Sequence, residues 1–285
     1  MRRFLKGLVG VALALALAAG PAGAQTNEQV RIGILTDRSG PYADAAGQGS
    51  TVMAELALED LGGKVLGKPV AILSADHQNK TDIATTTARQ WLDVDRVNAI
   101  FDVPNSGIML AVQEIIRAKG GLLFSSGGGA SSFTGALCSP CGFQWTYDTF
   151  ALANGAGREL ARQGLKNWYL LQVDYAFGEA AAADLNTVVT AAGGKIVGRV
   201  KTPLNTPDFS SFLLQAQSSG AQVVALLNAG KDTTNSLKQA NEFGLTKAGQ
   251  RLFGVIFFEA DALAVGLENA QGLLTTSPFY WSQSP

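Results

Sequence analysis

The chain has 285 residues, a length typical of two domains. Apolar residues make up 47% of it and charged residues only 16%, so it can bury a large core and is not intrinsically disordered. The formal net charge of −1, without any run of lysine and arginine, argues against a nucleic-acid partner. One histidine, His77, and two cysteines, Cys138 and Cys141, are too few for the usual zinc sites, and no cofactor is expected.

Residues 1–24 have the pattern of a secretory signal peptide. Basic residues precede an uncharged apolar stretch and a cleavage site of small residues: Arg2, Arg3, Lys6, Leu8–Ala19 and Ala22–Ala24. The apolar stretch spans only about 18 Å as a helix, against about 30 Å for a bilayer core, which favours a cleaved signal over a retained anchor. We therefore predict a mature chain that begins at Gln25 and is exported to the periplasm.

After Gln25 the first half alternates buried strands with amphipathic helices. Strands are predicted at Val30–Leu35, Pro69–Ala75, Asn98–Val103 and Gly121–Ser125, and helices at Gly47–Leu61, Asp82–Val94 and Ser106–Lys119. In the first of these helices Val52, Leu56, Ala57 and Leu61 share one apolar face. Strands that alternate with helices of this length indicate βαβ units and a mostly parallel sheet.

The second half repeats the rhythm after an irregular segment, 127–148. Helices are predicted at Thr149–Gln163, Gly178–Ala192, Asp208–Ser219 and Asp232–Phe243, and strands at Trp168–Val173, Lys195–Val200, Ala221–Leu227 and Leu252–Phe258. We predict two α/β lobes, residues 25–145 and 146–276, joined near Phe143–Asp148. The last residues, 277–285, are expected to cross back towards the first lobe.

The loops that follow the strands are the expected binding loops, because open α/β sheets bind ligands at the carboxyl ends of their strands. The first-half loops are rich in glycine and hydroxyl groups, which can hold a carboxylate without a basic side chain. Ser106 and Ser131 could alternatively serve only as caps of the helices that follow them. Their position on adjacent loops favours binding.

Six segments, taken in order, resemble the type I periplasmic binding proteins of the branched-chain amino-acid (leucine-binding-protein-like) family: Ile32–Tyr42, Ser74–Lys80, Asp148–Asn154, Asp174–Glu179, Asp208–Leu213 and Leu267–Gly272. The resemblance implies two Rossmann-like lobes joined by hinge crossovers. It also implies a receptor, not an enzyme, which traps a small carboxylate-bearing molecule and delivers it to the permease of an ABC importer. Relatives continue past the motif at Phe279–Pro285, so a truncated second lobe is expected.

The same resemblance implies ligand contacts from both lobes, at Tyr42, Asn105, Ser106, Ser126, Gly128, Ala130 and Ser131 in the first and at Tyr175, Phe177, Asn228 and Glu259 in the second. Amino-acid binders of the family place an acid after the strand predicted at Leu252–Phe258. This sequence has Ile256 or Phe257 there, with Glu259 slightly displaced. We therefore predict that aromatic or hydrophobic carboxylates bind more tightly than leucine or valine.

Other functions receive less support from the residues. Phosphate-loop and nucleophile-elbow motifs are absent from the sequence, and His77 is expected to be an exposed loop residue. Cys138 and Cys141 form a CxxC pair that is either a redox pair or, as favoured by its loop position, a structural disulfide. A regulatory module of the same fold that senses amides or urea remains the alternative to a transport receptor.

Overall fold

The computed structural model describes residues 29–280 and 282–283, and the predicted signal peptide lies outside them. The described chain forms two lobes, each built around one mostly parallel sheet with helices. This confirms the predicted fold class. Within the described ranges, no helix has the length and apolarity to cross a bilayer.

The first lobe is a six-stranded sheet in the order β2-β3-β1-β4-β5-β6. Every neighbouring pair is parallel except the short hairpin of β2 and β3. Its elements are β1 (Val30–Thr36), α1 (Gly47–Asp60), β2 (Lys64–Val65), β3 (Lys68–Asp76), α2 (Thr81–Asp93), β4 (Ala99–Asp102), α3 (Ser106–Lys119), β5 (Leu122–Ser125) and β6 (Gly142–Gln144). The strand order reverses at β1, which lies between β3 and β4.

The second lobe is a five-stranded parallel sheet in the order β11-β10-β9-β7-β8, and its order reverses at β7. Its elements are α4 (Thr149–Arg162), β7 (Asn167–Val173), α5 (Ala176–Ala191), β8 (Lys195–Thr202), α6 (Ser210–Ser218), β9 (Val223–Leu227), α7 (Lys231–Glu242), β10 (Arg251–Gly254), α8 (Glu259–Val265), α9 (Leu267–Ala270) and β11 (Leu274–Thr275). Loops at such reversals are the usual binding crevices of open α/β sheets.

The second sheet is covered on both faces. Alternating residues such as Trp168 and Leu170 pack against α4 and α5, while Tyr169 and Leu171 face α6 and α7. Near-continuous burial of a strand is what a parallel sheet between two helix layers requires. The second lobe thus holds its binding loops on a rigid core.

The first sheet is covered unequally. One face packs against α2 and α3, but the other carries α1 and a row of stacked rings, Phe101, Phe124 and Phe143, with ring centroids 4.8 Å apart along the row. The apolar face of α1 noted in the sequence is largely exposed, since Val52 and Leu56 are 41% and 49% exposed. The helix turns Thr51 towards the sheet instead, where its hydroxyl pairs with that of Ser74 on β3 at 2.6 Å.

His77 is fully buried, so the prediction of an exposed loop residue was wrong. Its backbone N–H donates to the Thr36 carbonyl and extends the pairing of β3 with β1 by one residue. The ring Nδ1 accepts the N–H of Asn79, which holds the imidazole inside the turn after β3. Burial lowers the pKa of His77 and favours the neutral ring.

The predicted disulfide is not formed, and Cys138 and Cys141 are free cysteines. Cys141 packs against the first-lobe core, and its carbonyl accepts the N–H of Leu123 on β5. Cys138 is exposed. The two residues therefore lie in different environments, one fixed beside the sheet and one at the surface.

The lobes contact each other beyond the connecting chain. Ser131 of the first lobe donates its hydroxyl to the carboxylate of Asp184 on α5 at 2.8 Å, and its backbone N–H donates to the hydroxyl of Thr149 on α4 at 3.1 Å. On the opposite side, Tyr42 is buried among second-lobe core residues. The two lobes are therefore in direct side-chain contact.

Candidate functional site

A cavity of about 280 Å³ lies between the two lobes. Almost all of its wall consists of residues that follow the carboxyl ends of strands, as expected for this class of fold. The first lobe contributes Tyr42, Ala45, Ala46, Ser50, Asp102, Pro104, Ser126 and Gly127, and the segment after β6 contributes Tyr147. The second lobe contributes Tyr175, Ala229, Gly230, Ile256, Phe258 and Asp261.

Asp102 is the acid that the first lobe presents. It is the last residue of β4 and is only 3% exposed. Its φ of 82° and that of Val103, 54°, lie in the left-handed region, which a β-branched residue rarely adopts. Ser126 donates its hydroxyl to Asp102 Oδ1 at 2.9 Å, while Oδ2 is buried without a hydrogen-bond partner among the described residues.

Asp261 is the acid that the second lobe presents, because β10 is shorter than its apolar sequence suggests. The strand ends at Gly254, and α8 begins at Glu259 with Phe258 as its N-cap. Asp261, in the first turn, accepts the Phe258 N–H at 2.9 Å. Burial raises the pKa of the Asp261 carboxyl, and the negative charge of Asp44 raises it further, while the hydrogen bond from Phe258 lowers it.

Aromatic rings form much of the remaining wall. The hydroxyls of Tyr42 and Tyr175 meet across the lobes at 2.6 Å. Tyr147 lies 5.5 Å from Phe258, measured between ring centroids. Burial raises the pKa of all three tyrosines, so their hydroxyls are neutral at physiological pH.

Three predicted contact residues line the cavity: Tyr42, Ser126 and Tyr175. Two others, Asn105 and Ser106, make structural hydrogen bonds nearby. The Asn105 amide oxygen caps α3 by accepting two of its backbone N–H groups. The Ser106 hydroxyl accepts the N–H groups of Gly129 and Ala130 and joins the loops after β4 and β5.

The other predicted residues lie outside the cavity wall. Phe177 is 2% exposed, and its ring lies 6.2 Å from that of Tyr175. Asn228 is buried and donates to the Ser236 hydroxyl. Gly128 and Ala130 are buried in the loop after β5, Ser131 bonds Asp184 as described above, and Glu259 lines a neighbouring cavity.

Comparisons with known proteins agree with this architecture. The model of a family described as periplasmic binding protein matches residues 29–285. This chain belongs to the periplasmic binding protein family. A periplasmic binding protein from Burkholderia mallei has a TM-score of 0.88 and 44% identity, over 91% of this chain and 69% of that one.

Two further matches connect this family member with transport. A branched-chain amino-acid ABC transporter periplasmic ligand-binding protein from Burkholderia xenovorans is 42% identical, with a TM-score of 0.76, over 90% of this chain and 68% of that one. A Leu/Ile/Val-binding protein homologue from Brucella melitensis is 27% identical over 92% of this chain and 67% of its own length. The family is one of solute-binding proteins of ABC transporters, which confirms that this chain is not an enzyme.

Among the wall residues that were not predicted as contacts, the acidic and aromatic ones are Asp102, Tyr147, Phe258 and Asp261. Asp102 is the last residue of an apolar strand, and Tyr147 lies in the irregular segment between the lobes, so no local pattern marked either of them as a contact residue. Asp261 follows an apolar run, and Phe258 at the N-cap lacks the side-chain acceptor that would have marked the start of a helix there. The site of this family member is therefore more acidic than its sequence suggests.

Proposed function

We propose that this chain is the periplasmic receptor of an ABC importer, which captures a small solute between its lobes and presents it to the permease. The cavity between the carboxyl ends of both sheets is the observation that carries this proposal. The signal-peptide pattern of residues 1–24 supports export. The names of the family and of the relatives support transport over the regulatory alternative.

The ligand favoured by the geometry is a small molecule of the amino-acid type. Asp261 lies in the cavity wall and offers a carboxylate to an ammonium group. Gly127 lies on the opposite lobe, where its backbone N–H group can hold a ligand carboxylate, whereas the neighbouring Ser126 hydroxyl already donates to Asp102. The wall therefore has a place for each of the two charged groups of an amino acid.

Aromatic acids are the second candidate. Tyr42, Tyr147, Tyr175 and Phe258 form an aromatic wall that suits a flat ring. A benzoate, however, would add a third negative charge beside Asp102 and Asp261, and the described residues place no lysine, arginine or histidine in the wall. These charges support the proposal of an amino-acid-type ligand, whereas the sequence analysis predicted a preference for aromatic or hydrophobic carboxylates.

A thermal-shift screen of the purified chain tests the proposal. A solute at 100 times its dissociation constant stabilises the folded state by about 2.7 kcal/mol, which shifts the melting temperature by several degrees. Asp261→Asn should abolish the shift given by an amino acid. Asp60→Asn, an exposed change of the same charge at the end of α1, should preserve it. The absence of any shift with amino acids, aromatic acids, amines and amides would refute the receptor proposal.

A further inference from the structure

The charge of the cavity wall is unbalanced. Asp102 and Asp261 are its charged residues, and no lysine, arginine or histidine of the described chain contributes to the wall. One acid comes from each lobe, so closure brings two carboxylates to one enclosed space. Such charges are costly to bury unless an opposite charge compensates them.

The two acids act on a common point. Tyr147 lies in the wall with both. Burial is the main cause of the raised pKa of its hydroxyl, and the charges of Asp102 and Asp261 raise it further. Asp102 is itself almost fully buried, and one of its carboxylate oxygens has no partner among the described residues. The first-lobe acid therefore retains an acceptor that the protein does not use.

The rest of the wall also suits a positive charge. Tyr42, Tyr147, Tyr175 and Phe258 present aromatic rings, whose faces attract ammonium and guanidinium groups. The adjoining cavity shares Asp261 with the site and adds Asp44 and Glu259 against the single cation Lys231. The adjoining cavity is thus also predominantly acidic, and its charges attract cations.

We propose that the solute carries a net positive charge and bridges Asp102 and Asp261 through amine or guanidinium groups, as a diamine or a basic amino acid would. This inference rests on the proposed receptor function and specifies its ligand class. A neutral amino acid adds no net charge, so the two aspartates keep the enclosed site negative, and an aromatic carboxylate adds a third negative charge. Asp102 is accordingly a specificity-determining residue that selects cationic over neutral solutes.

Calorimetric titration with four probes tests the proposal: 1,4-diaminobutane, lysine, leucine and benzoate. At least one of the two cations should bind at least tenfold more tightly than leucine or benzoate. Asp102→Asn and Asp261→Asn should each weaken cation binding at least tenfold, and Asp60→Asn should leave it unchanged. Asparagine tolerates the positive φ at position 102 and can still accept from Ser126, so this variant should fold.

The outcomes separate this inference from the receptor function. Leucine or benzoate binding as tightly as the cations would overturn the inference and leave the receptor function standing. Cation binding that persists in both asparagine variants, with unchanged circular dichroism, would also overturn it. Failure of all four probes to bind would count against both proposals.

Discussion

Removal of the hydroxyl of Tyr42 should weaken the contact that holds the lobes together. This hydroxyl lies 2.6 Å from that of Tyr175, and Tyr42 itself is only 4% exposed. A neutral hydrogen bond contributes about 1 kcal/mol net, and a buried hydroxyl left without a partner costs about 1–3 kcal/mol. Because Tyr175 is only half-buried, we expect Tyr42→Phe to cost about 1–2 kcal/mol.

A double-mutant cycle isolates this interaction. Tyr42→Phe and Tyr175→Phe should each destabilise the chain in urea unfolding, while the double variant should cost little more than one of them. The coupling energy should be about 1 kcal/mol, and solute affinity should fall about fivefold in either single variant, because the closed state loses the same free energy.

The cycle has an internal control and a clear refutation. Tyr169→Phe changes a buried tyrosine that lies away from the lobe interface, and it should alter stability by less than about 0.5 kcal/mol. Burial raises the pKa of Tyr42 and Tyr175, so both hydroxyls stay protonated and the coupling should be constant from about pH 6 to pH 9. A coupling energy below about 0.3 kcal/mol would show that the contact does not stabilise closure.

Three further predictions follow from single positions. Gly230→Ala places a Cβ 2.7 Å from the Pro41 carbonyl oxygen of the other lobe, so calorimetry should show much weaker solute binding. The control is Gly220→Ala, which also puts alanine at a positive φ but has no neighbouring atom within 4 Å, and this variant should bind normally. Burial raises the pKa of Asp232 from 3.8 to about 6, so its stabilising contribution is present at about pH 4 and is lost as the pH rises through 6. The free energy of unfolding of Asp232→Asn, measured in urea, should not show this decline with pH, which is about 3 kcal/mol at most. Thiol titration of the unreduced chain should find two thiols, with the exposed Cys138 reacting first, and a titration that finds none would contradict the structure.

Local sequence signals determined most of the helices and the parallel architecture. The helix predicted at Ser106–Lys119 is observed with the same ends, because Asn105 caps its first turn and Gly120, at a φ of 79°, ends it. The spacing of apolar residues and the glycines at the ends of elements are local features of the chain. They can therefore be recognised without knowing which elements pack against each other. The two-residue strands β2 and β11 and the short helices α8 and α9 carry too little periodicity and were not predicted.

Tertiary structure decided which faces are buried and which acids line the cavity. The apolar run Leu252–Phe258 has the composition of a strand, but only its first part pairs with β9, and the chain then turns so that Asp261 lies in the wall and Glu259 outside it. The hydroxyl contact of Tyr42 with Tyr175 joins residues 133 positions apart, and no local pattern encodes it. The sequence by itself determined where strands and helices form and that their loops share one edge of each sheet. Only the packing of the two lobes against each other could decide which loop side chains face each other, because that depends on where each strand ends and on how the lobes are arranged.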